Sequence, residues 1–133
     1  MWPEKKLVAK IIEGLRKRRG HSIEVFKHND RITRGIPDLS VTAYGRTTWF
    51  EVKQFTSEEP RPSEIKKKLE PLQLQRLKRL ADCGRAFYIC GYVEDGAQRF
   101  SVMSPANAHR FGAFRFGKNR TIEQDLDLLT TFL

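Results

Sequence analysis

The sequence predicts an α/β (α+β) domain, in which a sheet is flanked by helices. One helical pattern opens the chain, a second divides the strand-like segments, and a third ends it. The length of 133 residues suits one domain with its own core, so residues 1–133 are expected to fold as a unit. A net charge of +9 favours a polyanionic partner, although basic proteins also bind membranes or simply stay soluble.

The first element is a helix at about residues 3–19, where apolar residues recur at helical spacing and Gly20 ends the run. Residues 22–28 alternate between apolar and polar side chains, as a half-buried strand does. Residues 27–35 are polar and rich in turn formers, which predicts a loop.

A β-hairpin is predicted next, from PDLSVTA through a turn to TTWFEVK. A two-residue turn at Gly45-Arg46 is favoured because glycine accepts a positive φ at the first central position, and a turn at Tyr44-Gly45 is the alternative. In both registers Asp38, Glu51 and Lys53 share one face, with the two carboxylates opposite or diagonal. The other face is apolar and is expected to lie in the core: Leu39, Val41, Phe50 and Val52.

The charged face of the hairpin has two interpretations. It is either a wet surface, with Asp38 and Lys53 as an ordinary cross-strand ion pair, or a reaction centre. Two polar residues on helical stripes favour a reaction centre: Gln73 replaces an apolar residue in the second helix, and Glu4 is in line with the apolar stripe of the first. Each also has a plain structural explanation, Glu4 as a first-turn acid and Gln73 as a boundary residue.

The segment after the hairpin is rich in charges. Residues 54–68 contain prolines, serines and a run of charges, which predicts a long mobile loop. The second helix runs from Pro71, which suits a first turn, to Gly84, which suits a C-terminal cap. Residues 61–80 carry seven Lys or Arg against two Glu, whereas residues 121–133 carry three acids and no Lys or Arg, so 61–80 and not the tail is suited to meet phosphates.

The remaining sequence predicts two strands and a helical end. Residues 85–93 and 98–103 are strands joined by a tight Asp-Gly turn. Ser104-Pro105 can start a short helix. Thr121 and Gln124 form a capping-box pattern at the start of the final helix, whose apolar stripe either closes the core or dimerises.

Cys83 and Cys90 are the only cysteines and lack metal-site spacing, so both are expected to be reduced thiols in the core. No segment approaches the roughly 18 apolar residues that a membrane span needs. The N-terminus has charges threaded through its apolar residues, unlike a secretory signal. We therefore expect a cytoplasmic protein with no membrane partner.

Several ordered motifs resemble those of one enzyme family. GIPDL, WFEVK and LEPLQ, followed by a helix that ends in DCG, are similar to the virus-type replication-repair nuclease domain (VRR-NUC) of the PD-(D/E)XK superfamily. The family pattern is Gly-x-Pro-Asp, a hairpin, Glu-Val-Lys and a Gln that opens a helix, with a Glu in the preceding helix. The matching residues, within about 4–93, are Glu4, Gly35, Pro37, Asp38, Glu51, Val52, Lys53, Gln73 and Gly84.

The resemblance implies a restriction-endonuclease-like core, with a central mixed sheet flanked by helices, and metal-dependent cleavage of phosphodiester bonds. Asp38 and Glu51 would bind Mg²⁺ or Mn²⁺ together with the backbone carbonyl of Val52. The other implied roles are orienting or deprotonating water (Lys53), binding a second ion or its water (Glu4) and steadying the site (Gln73).

The chain departs from the family pattern in two places. The connection between Lys53 and Gln73 is longer than is usual, and residues 94–133 form a C-terminal helical extension. Residues 111–120 interleave Phe with Lys and Arg, so they either clamp a nucleic-acid strand or pack in the core. The expected phosphate contacts, with simple surface exposure as the alternative, are Lys27, His28, Arg31, Arg34, Lys66, Lys67 and Lys68.

Stand-alone members of this family resemble junction resolvases and tend to form dimers. The first expectation is therefore a homodimer that cuts branched DNA, or duplex DNA, in a bacterial or phage-infected cell. Two alternatives remain. The chain is either a basic nucleic-acid-binding module that does not cut, or a nuclease of the same fold that acts on RNA or cyclic oligonucleotides.

Overall fold

A computed structural model of the protein describes residues 1–28, 35–55, 61–107 and 119–133. These residues form a mixed α/β structure, as the order of the sequence patterns predicts. A single 3-10 turn follows the first helix, and another occupies residues 105–107, where a short helix was predicted. The helices and strands are α1 Glu4–Arg19, β1 Ile23–Lys27, β2 Leu39–Ala43, β3 Arg46–Gln54, α2 Pro62–Lys68, α3 Pro71–Cys83, β4 Arg85–Glu94, β5 Ala97–Met103 and α4 Ile122–Thr130.

The five strands form one mixed sheet in the order β1-β2-β3-β4-β5. Only β3 and β4 are parallel, and the other neighbours are antiparallel. A parallel pair needs a long crossover connection, which here contains α2 and α3. The crossover therefore returns the chain over one face of the sheet, directly after the charged strand β3.

Helices cover both faces of the sheet. One apolar cluster joins α1 and α4 to the face that carries Leu39, Val41, Phe50 and Val52, so the predicted core face of the hairpin is confirmed. A second cluster joins α2 and α3 to the opposite face. Because β3 alternates, the side chains of Glu51 and Lys53 lie on the face that α2 and α3 cover.

The hairpin turn lies at Tyr44-Gly45, and the favoured turn at Gly45-Arg46 is wrong. Leu39 pairs with Phe50, and Ala43 pairs with Arg46, which leaves two residues in the turn. Both have positive φ, 54° at Tyr44 and 74° at Gly45, as a type I′ turn requires. The prediction failed because it assumed that only glycine would take the left-handed conformation, whereas Tyr44 also adopts it.

The prediction of a mobile loop over 54–68 is also wrong, because residues 62–68 form α2. The helix begins with Pro62 in its first turn and carries Glu64 there, both favourable at a helix start. Ile65 and Leu69 are buried against the second cluster, which supplies the tertiary packing that a seven-residue helix needs. Residues 56–60 lie outside the described residues.

The final helix begins at the predicted capping box. The Thr121 hydroxyl accepts a hydrogen bond from the Gln124 amide at 3.2 Å, and the Gln124 side-chain oxygen accepts one from the Thr121 amide at 2.8 Å. The apolar stripe of α4 packs against α1 and the sheet, with Leu126 and Leu129 fully buried. Of its two predicted roles, closing the core is the one that the structure shows.

We expect Thr121→Ala to lower the free energy of unfolding by about 1 kcal/mol, because the Gln124 amide at the start of α4 loses its hydrogen-bond acceptor. Urea denaturation of the variant measures this loss. Thr121→Ser keeps the capping oxygen and should stay within a few tenths of a kcal/mol of the parent. Equal losses in the two variants would show that the cap contributes nothing.

The two cysteines differ in environment. Cys90 is buried in β4, as expected, and burial raises the pKa of its thiol. The expectation of a core position for Cys83 is wrong: it is exposed in the last turn of α3, because α3 turns that side away from the sheet. Among the described residues, no helix combines the length and the apolar character that crossing a membrane requires.

Candidate active site

Two carboxyl groups lie close together where the start of β2 is next to β3. Leu39 pairs with Phe50, so the next position in the register sets Asp38 opposite Glu51. The Asp38 carboxylate accepts a hydrogen bond from the Val52 amide at 2.9 Å, which fixes it beside β3. Glu51 is 3% exposed, because α3 covers this face of the sheet. The buried Glu51 carboxyl is therefore held beside a half-buried Asp38 carboxyl.

Burial strongly affects the protonation of this pair. The pKa of Glu51 is raised from 4.5 to about 10, first because the carboxyl is buried, and then because it shares a hydrogen bond with Asp38 and stands in the field of its charge. Lys53 acts in the opposite direction but does not cancel these effects. Without a further cation, the pair retains a proton at neutral pH.

Lys53 and Gln73 form the second part of the site. The Lys53 ammonium donates a hydrogen bond to the Gln73 side-chain oxygen at 2.7 Å. Gln73 lies in the first turn of α3, on the side that faces the sheet, and is half-buried. The polar interruption in the helical stripe therefore has a specific partner. This hydrogen bond fixes the Lys53 ammonium, and Lys53 lies two residues after Glu51 on the same face of β3.

An open cleft of about 480 Å³ is lined by Glu4 and Lys53, and it connects to the carboxyl pair through Lys53, since neither Asp38 nor Glu51 is part of its lining. The Glu4 carboxyl at the start of α1 stands in the fields of Lys53 and Asp38, and partial burial raises its pKa. Within the described ranges, no three acidic, His or Cys side chains are grouped closely enough to hold a metal ion. Glu4 is therefore near the pair without joining it as a third direct ligand.

The basic residues that were predicted to contact phosphates have different surroundings in the structure. Lys27 is exposed at the end of β1. The His28 ring bonds the Ser40 hydroxyl at 2.7 Å and packs on the Trp49 ring at 5.2 Å, while its amide donates to the Asp38 carbonyl at 2.8 Å. His28 thus supports the backbone of Asp38. Arg31 and Arg34, and the Phe-rich residues 111–118, lie outside the described residues.

The three lysines of α2 differ in their position relative to the cleft. Lys67 and Lys68 line the same cleft as Lys53 and Glu4, whereas Lys66 is not part of its lining. All three side chains are exposed. The sequence treats the three lysines as equivalent, and only the helical conformation separates them.

Arg76 is a site neighbour that the sequence reasoning missed. It lies one turn after Gln73 in α3, and its Nε is buried with no hydrogen-bond partner within the described part of the chain. A Cβ at Gly35 would be 3.3 Å from this Nε and 3.4 Å from the Leu72 carbonyl, and Gly35 has a φ of 82°. The Gly-x-Pro-Asp turn therefore packs directly on α3. The spacing of three residues from Gln73 is the signal that could have identified Arg76.

Tyr88 is a second missed neighbour. It pairs with Glu51 across the parallel strands and is fully buried. Its hydroxyl has no hydrogen-bond partner among the described residues, and burial raises its pKa. An unpaired buried hydroxyl beside a buried carboxyl adds to the polar character of the site. The hydrophobic strand pattern of residues 85–93 gave no indication of this position.

The donor set suits a hard divalent cation. Mg²⁺ and Mn²⁺ prefer carboxylate and carbonyl oxygens; Asp38 and Glu51 supply the carboxylates, and the resemblance implies the Val52 carbonyl as a further ligand. A buried Glu51 that keeps its proton beside a second carboxyl is also the arrangement that a divalent cation relieves, because its charge replaces the proton. The residues therefore fit the ion that the resemblance implies.

No protein-family model matches the chain, and no curated protein matches its sequence.

Proposed function

We propose that the protein is a metal-dependent endonuclease of the VRR-NUC type that hydrolyses phosphodiester bonds in DNA. The observation that carries the proposal is the buried Glu51 carboxyl next to Asp38, beside a Lys53 ammonium that Gln73 holds at 2.7 Å. This is the set of oxygen ligands and a cation that hydrolysis of a phosphodiester needs.

The geometry weighs against an ordinary surface ion pair. Glu51 is buried, so the charged face of the hairpin is not a wet surface. Lys53 bonds Gln73, and within the described contacts it forms no ion pair with Asp38 or Glu51. A buried carboxyl whose pKa is strongly raised, beside a second carboxyl and a lysine, is typical of functional sites.

Each residue has a definable part in the reaction. Asp38 and Glu51 would hold the cation with their oxygens, and the Val52 amide fixes the Asp38 carboxylate in place. When bound, Mg²⁺ or Mn²⁺ would supply Lewis-acid polarisation of the scissile phosphate and would lower the pKa of water. Lys53, fixed by Gln73, would orient the attacking water and offset charge on the phosphate. Glu4, which lines the cleft with Lys53, would accept a hydrogen bond from water there.

Hydrolysis by this arrangement forms a bond from the water oxygen to phosphorus and breaks the bond from phosphorus to one sugar oxygen. The leaving oxygen takes up a proton, and the water loses one to the solvent or to a nearby base. The surrounding positive charge of the chain, +9 in total, favours a polyanionic substrate. Branched DNA cut by a homodimer is our first choice, because a two-fold pair cuts two symmetric strands.

The proposal is tested by incubating the protein with four-way junction, flap and linear duplex DNA in the presence of Mg²⁺ or Mn²⁺. An RNA panel in parallel tests the alternative substrate. We expect DNA cleavage that stops on addition of a chelator and in Asp38→Ala and Lys53→Ala. Asp127→Ala, which changes an exposed acid on α4, is the matched control and should cut normally.

Two results would redirect the proposal. Cleavage of RNA alone would keep the chemistry and change the substrate. Binding of DNA without any cleavage, unaffected by Asp38→Ala, would instead indicate a nucleic-acid-binding module. Intact DNA and RNA with both metals would contradict the proposed activity.

A further inference from the structure

Helix α2 brings two lysines to the candidate active site. Ile65 and Leu69 are buried in the cluster beneath the helix, which fixes its rotation about its own axis. That rotation sends Lys67 and Lys68 into the lining of the cleft and leaves Lys66 outside it. The cleft therefore receives two ammonium groups from α2 because of how the helix is rotated, and not because of the lysine run as such.

The two lysines are available to a ligand. Within the described residues, neither forms an ion pair at contact distance. Lys68 stands close enough to Glu4 to lower the pKa of that carboxyl, although burial outweighs it. Glu64 and Glu70 line the cleft as well as Glu4, so its lining contains three acids and three lysines. An anion is favoured where Lys67 and Lys68 lie next to each other at the end of α2.

The size and position of the cleft suit a nucleotide unit. Its volume of about 480 Å³ is in the range of pockets that hold small ligands, and it opens to solvent. Lys53 belongs both to the cleft and to the reaction centre. A chain whose scissile phosphate lies at Asp38 and Glu51 would therefore continue into the cleft.

Resting on the proposed function, we propose that Lys67 and Lys68 bind the backbone phosphate adjacent to the scissile one. The substrate is thus a polynucleotide strand that passes along α2, and this contact contributes to binding and not to the chemical step. A small phosphodiester that has no neighbouring phosphate does not use it. The plain alternative is that all three lysines only stabilise the last turn of α2 through the helix dipole.

The test compares two double variants with the same change in charge. Lys67→Ala/Lys68→Ala removes the cleft lysines, whereas Lys66→Ala/Lys78→Ala removes exposed lysines from α2 and α3. We expect KM for a DNA substrate to rise about tenfold or more in the first variant, with kcat within about twofold, because charged contacts to phosphate are lost. The control variant should change KM by less than about threefold. Thermal denaturation verifies that both variants fold.

A second substrate separates this inference from the proposed function. Bis(p-nitrophenyl) phosphate has one phosphodiester and no neighbouring phosphate, so its Mn²⁺-dependent hydrolysis should be equal in both variants and the parent. Equal KM increases for DNA in the two double variants would overturn the inference while leaving the nuclease activity intact. Failure of the parent protein to cut any of these substrates would overturn the proposed function and the inference together.

Discussion

Replacing Glu51 by glutamine is expected to abolish cleavage and, at the same time, to stabilise the fold at neutral and alkaline pH. The substitution removes one of two carboxylates proposed to hold the metal, so we expect activity to fall by about 10³-fold or more. It also replaces a buried carboxyl, 3% exposed, with a neutral group of similar shape. Loss of activity with a gain in stability is a combination that a structural residue would not give.

The pH dependence of stability follows from the pKa of Glu51. Because this pKa is raised from 4.5 to about 10 in the folded state, the folded protein keeps a proton that the unfolded chain releases. The associated stability is complete below about pH 4.5 and is lost as pH rises towards about 10. Glu51→Gln lacks this loss, so its free energy of unfolding should exceed that of the parent by roughly 1–3 kcal/mol at pH 8.

Urea denaturation in a chelator at pH 5, 7 and 9 measures this effect. The difference in unfolding free energy between Glu51→Gln and the parent should grow with pH. Glu64→Gln changes a less buried acid that lines the nearby cleft and is the control, with a much smaller trend. A parent whose stability is constant from pH 5 to pH 9 would contradict a buried, protonated Glu51.

Replacing Asp125 by alanine is expected to be the most destabilising single change, at about 3–5 kcal/mol. Asp125 is fully buried in α4 and accepts hydrogen bonds from Arg99 at 2.6 and 2.8 Å and from the Phe100 amide at 3.1 Å. Arg99 is itself 1% exposed and also bonds Glu94 at 3.0 Å. In the alanine variant the buried Arg99 guanidinium lacks its main partner, and the Phe100 amide in β5 lacks its acceptor.

The control for this variant is Asp127→Ala, in the same helix. Asp127 is exposed and pairs with Arg18 at 2.8 Å, so its loss should cost less than about 1 kcal/mol. Replacing Arg99 and Asp125 together by apolar residues should recover part of the loss, since no charge is then left unpaired. Similar unfolding free energies for Asp125→Ala and Asp127→Ala would show that the buried network contributes little.

The sequence predicted the elements that have clear periodicity. The first helix, the five strands, the Asp-Gly turn and the capping box of α4 all lie where the patterns put them. The α2 helix was missed because its stability comes from the burial of Ile65 and Leu69 by residues distant in sequence, and prolines and charges hid that signal. The hairpin turn was predicted one residue too late, which shifts the strand pairing by two residues, because Tyr44 adopts a conformation that favours glycine.

The site could be predicted in part. Alternation in the hairpin put Asp38, Glu51 and Lys53 on one face, and the polar interruption at Gln73 identified the partner of Lys53. Asp125, a charge on the apolar stripe of α4, is the same kind of signal, but no buried partner was predicted for it. The burial of Glu51, the position of Arg76 against Gly35 and the separation of Lys67 and Lys68 from Lys66 depend on packing, which a single sequence does not specify.

The central claim is that Asp38 and Glu51 together hold a divalent cation. Calorimetric titration of Mn²⁺ into the parent protein, Asp38→Ala, Glu51→Gln and the control Glu64→Gln tests it most directly, since the measurement does not depend on finding the substrate. We expect binding in the parent and in Glu64→Gln, and a loss of affinity of at least about tenfold in the other two. Equal Mn²⁺ affinity in all four proteins, or none in the parent, would contradict the metal site at Asp38 and Glu51.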